Sequence, residues 1–193
     1  MIIGIYGGSF DPIHSGHSMV ANFISQCNVV DEVWITVSRR NPLKEHETFA
    51  SDFHRLEMAK IVALNCKGVK VSSVEMELNV PSYTYDTLTE LKKRFPEHEF
   101  RFIIGSDNLN YVKNWKNIDN LIKEFGFIVY PRPGFKLPET EPDGMTFLNG
   151  APEFGMSSTL IRDYISSGWN INYFVPVEVA KYIHKHKLYH GQC

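Results

Sequence analysis

The feature that most limits the fold of this chain is a series of short apolar runs, rich in β-branched and aromatic residues, that recur along it. Helical patterns of apolar residues fill most of the gaps between the early runs. Strands that alternate with helices in this way form a parallel sheet. Each helix carries the chain back to the end of the sheet where the previous strand began, so the next strand runs in the same direction, with a right-handed crossover. We predict strands at Ile2–Tyr6, Glu32–Val37, Val69–Val74, Phe100–Gly105, Gly126–Tyr130 and Met145–Leu148.

The helical segments complete the pattern. We expect the fold class to be α/β, with a Rossmann-like doubly wound, mostly parallel sheet that carries helices on both faces. A chain of 193 residues with 43% hydrophobic residues can bury one substantial core, and a domain usually has roughly 100–200 residues. We therefore predict a single domain over residues 1–193. The predicted helices are Gly16–Gln26, Ser51–Leu64, Thr84–Arg94, Ser157–Ser166 and Pro176–Lys185.

Charge, hydropathy and cysteine usage exclude several classes of protein. The 20 basic and 22 acidic residues leave a formal charge of -2, which gives no overall attraction to nucleic acid or to an anionic membrane. We see no leader-like segment, and no apolar run approaches the roughly 18 residues of a membrane-spanning helix. The cysteines Cys27, Cys66 and Cys193 are widely spaced, which favours free thiols in a reducing compartment. We expect a cytoplasmic protein with neither nucleic acid nor membrane as a partner.

The stretch GGSFDPIHSGH, residues 7–17, follows the first predicted strand and leads into the first predicted helix. Gly7 and Gly8 are expected to turn the chain with positive φ angles and to let the backbone approach a ligand. Gly16 is expected to permit a tight entry into a helix that begins near His17, whose N-terminal N–H groups favour an anion. Because His14 and His17 are three residues apart, both can face one phosphate chain. The stretch therefore predicts a phosphate site.

Two other phosphate-binding patterns are missing. A Walker A loop requires G-x-x-x-x-G-K-[ST], which the sequence lacks. A dinucleotide fingerprint requires G-x-G-x-x-G and an acidic residue at the end of the second strand, whereas the predicted second strand is followed by Ser38-Arg39-Arg40. The sequence therefore argues against a nicotinamide-dependent dehydrogenase.

Two segments carry a resemblance to a known superfamily. GGSFDPIHSGH resembles the G-x-F-D-P-x-H-x-G-H signature of nucleotidyltransferases, whose H-x-G-H pair binds the nucleotide triphosphate. The segment 156–162, MSSTLIR, resembles their second signature, I-S-S-T-x-I-R, although alone it is also typical of an ordinary capped helix start. The resemblance implies His14, His17 and Arg162 as catalytic residues. It implies an ATP site made of Gly7, Gly8, Ser9, Phe10, His14, His17, Gly105, Asp107, Ser157, Ser158 and Arg162.

The middle of the chain resembles one family within this superfamily. PSYTYDTL at residues 81–88, GSD followed by NWK at residues 105–116, and the R-P-G of residues 132–134 resemble motifs of bacterial nicotinate-mononucleotide adenylyltransferases. Trp115 could stack on a pyridine ring, although a core position is the alternative. The hydroxyl of Thr84 and the backbone N–H groups of Tyr85 and Lys116 would be neutral donors to the ring carboxylate, as the resemblance implies.

The loop after the second strand departs from the family pattern. Many family members have P-x-x-P-H-K or a similar motif there, whereas this chain has Leu43 before Lys44. Lys44 can still pair with the phosphate of the acceptor, but one imidazole donor is missing. Arg39 and His46 are candidates to compensate, and a solvated charged loop is the alternative interpretation.

The resemblance implies that the phosphate of nicotinate mononucleotide attacks the α-phosphorus of ATP, giving deamido-NAD and pyrophosphate. His14 and His17 would hold the α and β phosphates, Arg162 with the Ser157–Ser158 helix start would hold the β and γ groups, and Asp107 would bind ribose hydroxyls. Mg²⁺ is expected to arrive with ATP rather than to be held by protein side chains.

Three alternatives remain open at this point. The acceptor could be nicotinamide mononucleotide or phosphopantetheine, the enzyme could be a cytidylyltransferase, or the chain could be a module that binds nucleotide without turnover. The sequence also leaves the oligomeric state open, with a homo-oligomer as one alternative.

Overall fold

The computed structural model describes residues 1–39 and 50–190, and its centre is a β-sheet. The described part of the chain contributes six strands to this sheet, and each pair of neighbours is parallel. The predicted α/β class is therefore confirmed. The strands are β1 (Ile2–Gly8), β2 (Glu32–Val37), β3 (Val69–Ser72), β4 (Glu99–Gly105), β5 (Phe127–Tyr130) and β6 (Met145–Phe147).

The helices include the five predicted ones and two that the sequence pattern missed. The predicted third strand ends at Ser72, because Val74 begins a short helix and packs into the core instead of continuing the sheet. The segment after β4, for which we made no prediction, forms two 3-10 turns (Ser106–Asn110 and Val112–Asn114) and a helix. The helices are α1 (Ser15–Ile24), α2 (Asp52–Leu64), α3 (Val74–Glu77), α4 (Thr84–Arg94), α5 (Ile118–Glu124), α6 (Ser158–Ser166) and α7 (Val177–Lys185). Within residues 1–39 and 50–190, none of them is long and apolar enough to cross a bilayer.

Both faces of the sheet are covered, because the strand side chains alternate between two hydrophobic clusters. In β5, Ile128 and Tyr130 join one cluster, whereas Phe127 and Val129 join the other. The first cluster is closed by apolar residues of α1, α2, α6 and α7, and the second by residues of α4 and α5. The helix residues buried there include Ala21, Met58, Ile161 and Val179 on the first face and Leu88, Leu91 and Leu121 on the second.

The order of the strands places a crevice above the middle of the sheet. The order is β3-β2-β1-β4-β5-β6, so successive connections run outward in one direction from β1 and in the other from β4. β1 and β4 are neighbours, with Tyr6 opposite Ile103. Ligands of open α/β sheets bind beyond the carboxyl ends of the strands at such a reversal. The segments that follow Gly8 and Gly105 are therefore placed at the expected binding edge.

Candidate functional site

The chain between β1 and α1 turns at Phe10 rather than at the two glycines that precede it. Gly7 and Gly8 belong to β1, and the residue with a positive φ is Phe10, at 46°. The expectation of positive φ angles at Gly7 and Gly8 is therefore wrong. Their lack of side chains matters for packing instead. A Cβ atom on Gly7 would lie 2.8 Å from the Phe102 ring, and one on Gly8 would lie 3.0 Å from the Phe10 ring.

His14 and His17 form a reciprocal cap at the start of α1, which begins at Ser15, one residue before the predicted helix Gly16–Gln26. The backbone N–H of His17 donates to His14 Nδ1 (3.4 Å), and the backbone N–H of His14 donates to His17 Nδ1 (3.2 Å). A neutral imidazole that accepts at Nδ1 carries its proton on Nε2. The rings stack with their centroids 3.6 Å apart and their planes at 20°. In their neutral forms, the two rings thus present a pair of Nε2–H donors side by side.

The environment of His14 keeps this ring neutral. His14 is only 2% exposed. Burial, followed by the positive charge of Arg132, lowers the pKa of His14 to about 4. At neutral pH the His14 ring is therefore uncharged, and what it can offer an anion is a hydrogen-bond donor rather than a positive charge. Phe10 packs against the stacked histidines: its buried ring meets the His17 ring edge to face, with 4.9 Å between the ring centroids.

The start of α6 is bonded to the same loop, so the two sequence signatures meet. Ser157 caps α6 by accepting the N–H of Leu160 (3.2 Å). The hydroxyl of Ser158 donates to the backbone oxygen of Pro12 (2.9 Å), and Arg162 NH1 donates to the backbone oxygen of Asp11 (2.7 Å). The structure thus brings the guanidinium of Arg162 and the N-terminus of α6 next to residues 7–17, which we call the histidine loop.

A cleft of about 410 Å³ opens beside this loop, at the carboxyl ends of β1 and β4. Its wall includes three of the residues predicted to bind the acceptor, Thr84, Trp115 and Lys116, together with Gly7, Gly8 and Gly105 of the predicted ATP site. The remaining predicted residues of the described chain do not line it. The cleft therefore brings together three of the five residues predicted to bind the acceptor, next to the strand end that leads into residues 9–17.

Trp115 is both a core residue and a cleft residue. Its ring meets the rings of Phe102 and Phe127 edge to face, with centroids 5.9 Å and 6.0 Å away, and it also lines the cleft. The two interpretations of Trp115 in the sequence are therefore compatible. Within the described residues, its buried Nε1 has no hydrogen-bond partner.

The side chains of Lys116 and Tyr85 are engaged elsewhere. Lys116 Nζ pairs with Asp86 at 2.8 Å and lies 4.6 Å from the ring centroid of Tyr83. The Tyr85 hydroxyl donates to Glu124 at 3.1 Å, and Tyr85 does not line the cleft. What these two residues can offer a ligand is thus their backbone N–H groups, which is the role that the sequence resemblance implies.

Gly105 and Asp107 mark the end of β4. A Cβ atom on Gly105 would overlap Oδ1 of Asp107 and lie 2.8 Å from Cγ of Arg132, so any larger residue would have to displace these two side chains. Asp107 accepts a hydrogen bond from Asn108 Nδ2 (3.2 Å) and lies 3.9 Å from Arg132 Nε. A carboxylate held in this way at a strand end is suited to accepting hydrogen bonds from hydroxyl groups.

Comparisons with known proteins place the chain in a family. A family model described as cytidylyltransferase-like matches residues 5–164. The nicotinate-nucleotide adenylyltransferase of Bacillus subtilis and a probable one of Bacillus licheniformis are each 39% identical over 187 residues, covering 97% of this chain and 97% of theirs. The chain belongs to the nicotinate-nucleotide adenylyltransferase family. A solved Plasmodium falciparum nicotinic acid mononucleotide adenylyltransferase, complexed with NaAD, matches with a TM-score of 0.80 and 28% identity over 97% of both chains.

One part of the family pattern cannot be placed. Lys44, predicted to bind the acceptor phosphate, lies outside the described residues, as do Leu43 and His46. Arg39, the other candidate to compensate for Leu43, is described. Its Nε donates to Asp52 (3.0 Å) and its NH1 to the backbone oxygen of Leu78 (3.3 Å).

A buried arginine, for which we made no prediction, bonds to three segments at the carboxyl ends of β1 and β2. Arg55 in α2 is fully buried. It donates to the backbone oxygens of Ser9 (2.6 Å) and Ser38 (2.7 Å), and to Asp52 at 2.6 Å. It thus joins the loop after β1, the end of β2 and the start of α2 in this member of the family. No sequence signal identifies it, because an arginine in an amphipathic helix is normally expected on the surface.

A second missed contact joins the histidine loop to the far end of the chain. The buried hydroxyl of Tyr189 donates to Asp11 Oδ1 at 2.8 Å, and the N–H of Ala50 donates to the same oxygen at 3.2 Å. Burial and the neighbouring Asp11 carboxylate raise the pKa of Tyr189 far above its usual value, so it remains a donor. Asp11 lies inside the family's first signature, but nothing in the sequence indicates its partner.

Proposed function

We propose that this enzyme transfers the adenylyl group of ATP to nicotinate mononucleotide, producing deamido-NAD and pyrophosphate. One observation carries the proposal. The histidine loop and the start of α6 are bonded to each other beside a cleft lined by Thr84, Trp115 and Lys116. Family membership supports the same reaction.

On the nucleotide side, His14 and His17 hold the α and β phosphates through their Nε2–H groups. Arg162 and the N-terminal N–H groups of α6, at Ser157 and Ser158, hold the β and γ phosphates, since a guanidinium carries five donors and a helix N-terminus favours anions. The ATP site further includes Gly7, Gly8, Ser9 and Phe10, which let the backbone approach the nucleotide, and Gly105 and Asp107, which face its ribose.

Magnesium enters with the nucleotide. Mg²⁺ prefers carboxylate, phosphate and water oxygens, whereas the residues at the histidine loop offer mainly N–H and O–H donors. The structure, over the residues it describes, contains no group of three or more His, Cys, Asp or Glu side chains suited to a metal ion. These residues do not fit a magnesium cage, and the substrate we propose is the MgATP complex.

On the acceptor side, Trp115 stacks on the pyridine ring. Thr84 and the backbone N–H groups of Tyr85 and Lys116 donate to the ring carboxylate, and Lys44 pairs with the acceptor phosphate. A carboxylate accepts hydrogen bonds at both oxygens, whereas a carboxamide would turn an NH2 group toward these donors. One unpaired buried group costs about 1–3 kcal/mol, so the site favours the acid over the amide.

The chemistry requires alignment rather than a covalent enzyme intermediate. An oxygen of the acceptor phosphate attacks the α-phosphorus of ATP, the bond from that phosphorus to the bridging oxygen breaks, and pyrophosphate leaves with the electron pair. The attacking phosphate is already anionic near neutral pH. The contribution of His14, His17 and Arg162 is therefore to position the two substrates and to stabilise charge on the transferring and leaving groups.

The test is the choice of acceptor. Pyrophosphate release is measured with saturating ATP and Mg²⁺ while nicotinate mononucleotide, its amide or phosphopantetheine is varied. We expect kcat/KM to favour the acid over the amide by about 5- to 150-fold, corresponding to one unpaired buried group. Equal values for acid and amide would refute the acceptor assignment, and the absence of release with every acceptor would refute the transferase itself.

We further propose that residues 1–193 form one domain and that the enzyme acts in the cytoplasm. One sheet with a hydrophobic cluster on each face supports the first proposal. Cys27 and Cys66, which are both free thiols in the structure, support a reducing compartment. A homo-oligomer stays a prediction that a measurement of mass in solution would test.

A further inference from the structure

A buried acidic side chain lines the acceptor cleft without belonging to any of the predicted contacts. Glu75 lies in α3, is 6% exposed, and forms part of the cleft wall together with Ser82, Tyr83 and Thr84. Buried carboxylates are costly unless they are hydrogen-bonded or paired with a cation. The partners of Glu75 therefore indicate what it does.

Both carboxylate oxygens of Glu75 accept hydrogen bonds from hydroxyl groups. Ser82 Oγ donates to Oε2, and Thr87 Oγ1 donates to Oε1 at 2.5 Å. Over the residues that the structure describes, Glu75 forms no ion pair with a lysine, arginine or histidine. Its hydrogen bonds to described residues thus go to the segment before α4 and to the first turn of α4.

Glu75 is bonded to residues on both sides of residues 83–86, the segment that contains Thr84 and Tyr85. Ser82 lies just before Tyr83 and Thr84, while Thr87 lies in the first turn of α4, so Glu75 bridges across the residues between them. Tyr83 is the N-cap of α4, and in the described structure no side chain caps the N–H groups of the first turn. Because the usual local cap is missing, the bridge from α3 helps to fix this first turn, together with the ion pair of Asp86 and Lys116 and the hydrogen bond from Thr87 Oγ1 to the backbone oxygen of Tyr83 (3.2 Å).

We propose that Glu75 is a positioning residue for the acceptor: it fixes residues 82–87 and so holds Thr84, which lines the cleft, and the first-turn N–H of Tyr85 next to it. This inference rests on the proposed function, since it concerns the same site. Glu75 does not touch the reacting phosphates in this proposal. Its loss should affect binding of the acceptor mononucleotide and leave the binding of ATP at the histidine loop nearly unchanged.

The experiment compares Glu75→Ala, Glu75→Gln and the control Glu77→Gln in the full chain. Glu77 lies in the same helix but is exposed and pairs with Arg94 on the surface (2.9 Å). Glutamine keeps the size of Glu75, and its amide can donate to Thr87 while its oxygen accepts from Ser82, because a hydroxyl can both donate and accept. Initial rates are measured with nicotinate mononucleotide and ATP each varied, together with the thermal melting temperature.

We expect Glu75→Ala to raise the KM for the acceptor by about 10- to 100-fold, the effect of a misplaced binding group, with the KM for ATP changed less than about threefold. Glu75→Gln should recover most of this loss, and Glu77→Gln should match the wild type. Titration of Glu75→Ala with nicotinate mononucleotide in the absence of ATP should show the same weakening, which separates binding from turnover.

Three results would overturn the inference, two of them with Glu75→Ala and one with Glu75→Gln. The first is an unchanged acceptor KM in folded Glu75→Ala, and the second is an equal loss for acceptor and ATP, which would mean a merely structural role. A Glu75→Gln variant as impaired as Glu75→Ala would also contradict positioning through hydrogen bonds. Failure of the wild type to use nicotinate mononucleotide at all would instead refute the proposed function, so the two failures are distinguishable.

Discussion

The two halves of the candidate site are built in different ways. We call residues 7–17 with the start of α6 the nucleotide loop, and residues 75–87 with residues 114–116 the acceptor wall. In the nucleotide loop the two histidines cap each other's backbone within one turn of α1. In the acceptor wall, Glu75 reaches across to Ser82 and Thr87, while Trp115 comes from a different segment after β4.

The two regions differ in the separation along the chain of the residues that are bonded to each other. In the nucleotide loop the reciprocal cap of His14 and His17 is local, but residues 9–12 also bond to side chains from distant parts of the chain, namely Arg55, Ser158, Arg162 and Tyr189. The geometry of the acceptor wall depends on how α3, α4 and the segment after β4 pack together. We therefore expect changes in the nucleotide loop to impair turnover with every acceptor, and changes in the acceptor wall to alter the choice between acceptors.

The largest effect is expected for His17→Ala. If the Nε2–H of His17 stabilises charge on the phosphate chain as the reaction proceeds, its loss should lower kcat by about 10²–10³-fold. The decrease should be equal with nicotinate mononucleotide and with its amide, because the proposed contacts of the nucleotide loop are with the phosphates of ATP and not with the ring substituent. Steady-state kinetics with both acceptors measure this.

The control for this variant is His184→Ala, which removes an exposed histidine from α7. It should leave kcat unchanged. A folded His17→Ala enzyme with kcat within a few-fold of the wild type would show that the stacked histidines serve only to cap α1.

The second effect concerns stability and pH. Burial lowers the pKa of His14 to about 4, below its usual value of 6.5, so the unfolded chain binds a proton that the folded chain excludes. The contribution of His14 to stability is therefore complete above about pH 6.5 and falls as the pH decreases toward 4, by about 3 kcal/mol. Replacing His14 by Asn keeps a good N-cap residue but removes the titrating group.

The measurement is the free energy of unfolding in urea at several pH values between 7 and 4. The wild type should lose more stability than His14→Asn over this range, by about 3 kcal/mol. Parallel pH profiles for the two proteins would mean that the His14 ring is accessible to protons in the folded state, and the nucleotide loop would then be less rigid than the structure indicates.

The smallest effects are expected in the acceptor wall, where they should differ between variants. Trp115→Leu removes the flat ring and should raise the KM of both mononucleotides by about 2- to 12-fold, the value of an aromatic stack. Thr84→Ala should mainly reduce the preference for the acid, by a similar factor for one hydrogen bond. Kinetics with the acid and the amide, at saturating ATP, separate these outcomes.

Thr89→Ala is the matched control, since Thr89 is exposed on the same helix as Thr84. Trp115→Leu also removes contacts with Phe102 and Phe127, so its melting temperature must be recorded. Loss of the acid preference in Trp115→Leu, or an unchanged preference in Thr84→Ala, would contradict the division of roles within the acceptor wall.

Much of the fold could be predicted because its signals are local. Apolar alternation located all six described strands to within a few residues, and the helical periods located five helices. The errors have a common cause. Both missed helices are short: a buried valine such as Val74 suits a strand as well as the four-residue α3, and the seven residues of α5 leave room for only one i, i+3, i+4 set of apolar residues.

The sequence by itself determined the α/β class and the nature of the nucleotide loop, because glycines, histidines and a helix start within eleven consecutive residues can interact with little chain between them. Tertiary structure alone decided that Phe10 makes the turn, that Arg55 is buried, and that Glu75 faces Ser82 and Thr87. The contacts of Arg55, which join the segment after β1 to the end of β2, depend on which strand ends lie side by side. That pairing results from packing a whole sheet between two layers of helices, and no spacing within a short segment encodes it.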